Sequence, residues 1–69
     1  MPTQNRKHDK LIDRFELRDL GIPWGNVTLL RKEREGIFPR RVRLSSHCVR
    51  WRLSEVTEFL RRLNEERAL

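Results

Sequence analysis

Residues 36–51 read GIFPRRVRLSSHCVRW, and the fold turns on how this stretch is read. Gly36 supplies a turn and Ile37 and Phe38 an apolar pair; after Pro39 come Arg40, Arg41 and Arg43, alternating with Val42 and Leu44. Small polar residues separate this run from Val49, Arg50 and Trp51. Alternation with a period of two is the pattern of a strand with one dry face and one wet face, and here the wet face is positively charged. The spacing predicts a hairpin with a strand at Arg41–Leu44, a turn at Ser45–Cys48 and a strand at Val49–Trp51. With no glycine or asparagine at its tip, the turn is expected to be a loose loop rather than a tight two-residue reversal.

Upstream of the hairpin, NVTLLRKERE (residues 26–35) runs from Gly25 to Gly36 without a breaker. Its apolar residues Val27, Leu29 and Leu30 make a narrow buried stripe, so it reads as a helix with a polar, basic open face. Before it, Leu11, Ile12, Phe15, Leu17 and Leu20 mix spacings of three and two, which suits a short helix around Asp13–Leu20 stopped by Gly21. Gly21 and Pro23 punctuate a tight turn, giving helix, turn and helix. Downstream, Val56, Phe59, Leu60 and Leu63 fall at i, i+3, i+4 and i+7, an amphipathic helix with Ser54 as a cap, Glu55 in its first turn and Glu58–Arg62 as an i,i+4 pair. The fold class is therefore mainly α with a small β-hairpin. Residues 1–10 read as a flexible basic N-terminal arm and 11–69 as the folded domain.

Sixty-nine residues can bury only one modest core, so an enzyme with a deep enclosed cleft is not expected. Sixteen Lys plus Arg against ten Asp plus Glu leave a formal charge of +6, which favours a polyanionic partner. Arginine dominates, with only three lysines, and its planar fork suits phosphates and guanine edges. Cys48, the one cysteine, has only His8 and His47 for company, too few ligands for a zinc site; no metal or other cofactor is implied. Glu33 and Glu35 lie on a polar helix without an enclosed pocket, and no nucleophile–base pair stands out, so no catalysis is expected. The first ten residues hold no secretory apolar segment, and no apolar run approaches the roughly 20 residues that span a bilayer. The expectation is a soluble cytoplasmic protein with no membrane partner.

In order, LGI at 20–22, NVTLLR at 26–31, GIFP at 36–39, VRL at 42–44, VRW at 49–51 and SEVTEFL at 54–60 give a series that resembles the AlpA-like regulators. These are small phage and prophage proteins of MerR-like winged-helix type, related to excisionases. The resemblance covers residues 11–67. It implies a winged helix-turn-helix of about three helices plus a two-stranded wing, with the helix Gly25–Glu35 in the major groove of double-stranded DNA and the wing against the backbone. Thr28 and Arg31 match the DNA-facing positions of the family's helix, Asn26 stands at its N-terminal end, and Lys32 completes the predicted reading set. Val42, Leu44, Val49 and Trp51 would face the core, while Arg41, Arg43 and Arg50, with Arg40, Ser46 and His47, would face phosphate. Leu30, Ser45 and His47 depart from the aromatic residue, glycine and arginine often found at those places in the family.

Three functions fit this reading. One is a sequence-specific transcriptional regulator acting by occupancy. A second is an excisionase-type architectural factor that bends DNA for a recombinase. A third, of another class, is an adaptor whose basic face meets an acidic protein. A single reader helix gives limited affinity, so a homodimer or an array on DNA is expected. Trp24 either closes the core beside the turn or stacks on a sugar.

Overall fold

The computed structural model describes residues 9–68. In chain order the elements are β1 (Leu11–Ile12), α1 (Arg14–Asp19), α2 (Asn26–Arg34), β2 (Val42–Ser45), β3 (Cys48–Arg52) and α3 (Leu53–Ala68). The architecture is that of a winged helix-turn-helix, three helices around a small antiparallel sheet of order β1-β3-β2. The third strand is an addition to the expected wing: Leu11 and Ile12 pair with Arg52 and Trp51, which makes β3 the central strand.

Local chemistry explains the helix ends. Asp13 caps α1 by accepting from the Glu16 amide at 2.9 Å, and the Glu16 carboxylate accepts from the Asp13 amide at 3.0 Å, a reciprocal box that satisfies two amides. Both α1 and α2 end in the same way. Gly21 (φ 102°) and Gly36 (φ 78°) take the left-handed conformation that glycine adopts without steric cost. The next amide then folds back onto the last turn: Ile22 N–H donates to the Leu17 carbonyl at 3.0 Å and Ile37 N–H to the Lys32 carbonyl at 2.9 Å. Buried Ile22 and Leu17 supply the apolar contact that accompanies this motif.

The cap of α3 comes from elsewhere than expected. Ser54 is a donor: its amide and hydroxyl both donate to the Asp9 carboxylate, at 3.2 and 2.9 Å. Asp9 lies in the stretch read as an arm, and the Lys10 carbonyl also accepts from the Leu53 amide at 2.7 Å, so residues 9 and 10 belong to the fold. The rest of that arm, residues 1–8, lies outside the described residues. On α3 the expected Glu58–Arg62 pair is present at 3.3 Å. Arg61 hydrogen-bonds both Glu58 and Glu65, and its bond holds the Glu58 carboxyl below its ordinary value.

The core takes one apolar residue from almost every segment: Ile12 from β1, Leu17 from α1, Ile22 from the turn, Leu29 from α2, Phe38 from the link to β2, Trp51 from β3 and Val56 from α3. Trp24, Phe38 and Phe59 pack edge to face around it, with centroid separations of 5.0–6.3 Å, so Trp24 has the structural role. Leu63, in the predicted stripe of α3, is largely exposed because the last turns of the helix run past the core.

β2 gives this core nothing, and three expectations for the hairpin change with it. Ser45 pairs with Cys48, so the reversal is a tight two-residue turn at Ser46–His47, not a loose loop. It closes without glycine and without any positive φ outside glycine; the irregularity at Leu44, an extra residue between the Arg43–Val49 and Ser45–Cys48 pairs, adds the local twist that a primed turn would otherwise supply. Leu44 is consequently 54 % exposed instead of core-facing. Because directly opposed residues share a face, Arg43 lies on the side of Val49 and Val42 on the side of Arg50. Arg41, two residues before Arg43, points inward against the expectation for it, while Arg43 is exposed.

Candidate nucleic-acid interface

On α2 the helical repeat sorts the side chains. Leu29 and Glu33, four residues apart, are buried, while Val27, Arg31 and Arg34, at i, i+4 and i+7, form an exposed stripe. Val27, read as part of the buried stripe, is 78 % exposed. Its spacing from Arg31 and Arg34 is the signal that assigns it to the open face. Asn26 and Arg31 are exposed and Thr28 is half-buried beside them. Lys32 turns its ammonium over the Trp24 ring, 4.6 Å from the centroid, which commits it to the aromatic cluster.

A carboxylate in the middle of α2 needs a reason to be buried. Glu33 has one: Arg41 Nε donates to both its oxygens at 3.1 Å, the Arg41 amide donates at 3.2 Å and the Trp51 indole N–H at 3.1 Å. The side chains of Arg41 and Glu33 are only 9 % and 8 % exposed, so this is an internal ion pair. The guanidinium lies over the Trp51 ring at 5.1 Å, and its Nη1 reaches the first residue of α2, donating to Asn26 Oδ1 at 2.9 Å. Nη2 is the buried side-chain nitrogen without a hydrogen-bond partner among the described residues. Arg41 thus joins the wing to the start and the middle of α2, and the outward role expected for it is replaced by this inward one. The physical cause is that an ionised group buried on α2 must be paired.

Two clefts flank α2. One is lined by Leu30, Glu33 and Arg34 on the helix and by Arg40, Arg41 and Arg43 on the approach to β2 and in the strand. The other gathers Arg14 and Phe15 from α1, Asn26 from α2, and His47, Val49 and Arg50 from the hairpin. Arg40 and Arg43 are exposed, and Arg50 is half-buried with Nη1 on the Val49 carbonyl at 2.8 Å. At the hairpin tip the Ser46 hydroxyl and His47 Nδ1 lie 3.1 Å apart, both residues exposed. The predicted residues thus divide. Asn26, Arg31, Arg40, Arg43, Ser46, His47 and Arg50 surround the open side of α2 and the wing, whereas Arg41 and Lys32 are tied to the protein. Arg34 and Arg14 join the basic surface without having been singled out. The i+3 spacing from Arg31 marks Arg34 in the sequence; nothing local marks Arg14, which the packing of α1 brings to the hairpin.

Among the described residues no group of histidine, cysteine, aspartate and glutamate is placed to hold a metal, and no helix is long and apolar enough to cross a membrane. No curated protein matches the chain. The family described as prophage CP4-57 regulatory protein (AlpA) matches residues 25–64, from the N-cap of α2 through the wing and most of α3. That match covers more than half of the sequence, and with the winged helix-turn-helix just described, the chain belongs to the AlpA family of phage regulatory proteins.

Proposed function

We propose that this protein is a sequence-specific, non-enzymatic regulator that binds double-stranded DNA in the cytoplasm and acts by occupancy, with α2 reading the major groove. The observation that carries this reading is the convergence of arginines from separate elements on the two clefts beside α2: Arg34, Arg40 and Arg43 on one, Arg14 and Arg50 on the other. Such a surface holds phosphates on both sides of a helix whose exposed stripe, Val27 and Arg31, offers an apolar contact for a thymine methyl and a fork for guanine. One helix gives limited affinity, so the bound form is a homodimer or an array on adjacent sites.

The test is selection of bound duplexes from a random pool, followed by affinity against salt on the winner and on an unrelated duplex. Specific binding with a steep negative log–log slope supports the proposal; binding that is indifferent to salt or sequence refutes it. Arg31→Ala should relax preference at one or two base pairs and cost about 1–3 kcal/mol on the best site. Bending of the selected duplex, measured by its gel mobility, would move the reading to an excisionase-type factor serving a recombinase.

A further inference from the structure

Resting on the DNA-binding reading above, we infer that Asn26 meets DNA through its Nδ2 amine, its amide held in that orientation by the buried Arg41–Glu33 pair. A guanidinium carries donors and no acceptor, so the atom of Asn26 that faces Arg41 Nη1 at 2.9 Å must be Oδ1. Turning the amide over would set donor against donor. Arg41 cannot swing aside to release it, because Nε is held by both oxygens of Glu33 at 3.1 Å and the guanidinium lies on the Trp51 ring. With Oδ1 turned to Arg41, the Nδ2 amine is the polar atom left to face outward from the exposed first position of α2, in the cleft with Arg14, His47 and Arg50.

This orientation has a consequence for base choice. The usual asparagine pairing with adenine needs Oδ1 to accept from N6 while Nδ2 donates to N7. Here Oδ1 is turned toward the Arg41 guanidinium, which occupies one of its two lone pairs, so the two Nδ2 donors, and not the paired Oδ1–Nδ2 edge, are what the amide turns outward. The matching partner is a DNA acceptor: the O6 and N7 edge of guanine, or a phosphate oxygen. Arg41 and Glu33 then act as positioning residues that set what Asn26 can read without touching DNA themselves.

The experiment compares sites selected from a random duplex pool by the wild type, by Asn26→Ala and by the double variant Glu33→Gln/Arg41→Met, each first checked for cooperative unfolding. The double variant removes both charges together while an amide oxygen is kept for the Trp51 indole. If the acceptor is on a base, the wild type selects guanine at one position, Asn26→Ala erases that preference at a loss of about tenfold, and the double variant, with Oδ1 released, admits adenine there. If the acceptor is a phosphate, Asn26→Ala weakens all duplexes about equally and one neutral methylphosphonate abolishes the difference. A second measurement leaves the core intact: exchanging the selected guanine for 7-deazaguanine or 2-aminopurine removes one acceptor at a time, and at least one exchange should weaken the wild type but not Asn26→Ala. Three results overturn the inference: adenine selected by the wild type at an Asn26-dependent position, guanine retained by a folded double variant, or no effect of Asn26→Ala on duplexes that the wild type binds. A wild type that binds no duplex overturns the DNA reading itself.

Discussion

The two strands of the wing hairpin are built alike in sequence and used oppositely in the structure. Both alternate arginine with an apolar residue, yet β3 turns its apolar face inward, with Trp51 fully buried, while β2 contributes no apolar residue to the core and is preceded by an arginine that points inward. The difference lies in what each strand faces. β3 is central, sandwiched between β1 and β2 and packed on α3, so Trp51 closes on the apolar cluster of Ile12, Leu29 and Val56. The segment entering β2 faces α2 where Glu33 is buried, and there the favourable neighbour is a cation. Alternation establishes that a strand has two faces; the partner across the gap decides which of them goes in.

Several variants would break or sharpen this contrast. The largest effect is expected from Trp51→Ala, which removes the central buried side chain and also a donor to Glu33. Truncation of a buried tryptophan costs about 3–5 kcal/mol, comparable with the whole stability of a small domain, so the variant should be largely unfolded in urea-free buffer by circular dichroism.

Arg41→Met should rank next, because it strands a carboxylate in the interior, a change that typically costs about 3–5 kcal/mol. Adding Glu33→Gln should recover most of that loss. A double-mutant cycle by chemical denaturation decides the point: two additive losses would mean that the pair is not coupled and that the inward face of β2 is an incidental feature.

Arg43→Ala should leave stability within about 0.5 kcal/mol, since the side chain is exposed. It should instead reduce the salt slope of DNA binding by about one, the share of one neutralised phosphate. Smallest of all, Leu44→Thr should change the unfolding free energy by no more than about 0.5 kcal/mol, because Leu44 is exposed at the irregular position of β2. A loss of several kcal/mol at Leu44 would restore the simple alternation and invert the register described for β2.

Much of the fold was legible because its signals are local. Gly21 and Gly36 mark the ends of α1 and α2 through their backbone freedom, and Val56, Phe59 and Leu60 mark the inner face of α3 through their spacing. Of the candidate site, the exposed Asn26 and Arg31 and the basic character of the wing could be read from position and charge. Other features depend on residues far apart in the chain. β1 is two residues long and exists only because β3 offers it an edge; Asp9 caps a helix 45 positions away; Val27 departs from the stripe because it lies on the open face of α2 with Arg31 and Arg34.

By itself, then, the sequence determined the helices, their stops, the hairpin, the buried Trp51 and the excess positive charge, all of which follow from near-neighbour periodicity and composition. Only the tertiary structure decided which arginines are available to a polyanion and which belong to the protein. Arg41 and Arg43 are the same residue type two positions apart, and what separates them is a single carboxylate: burying Glu33 on α2 demands a counter-charge within hydrogen-bond reach, and Arg41 lies close enough to supply it.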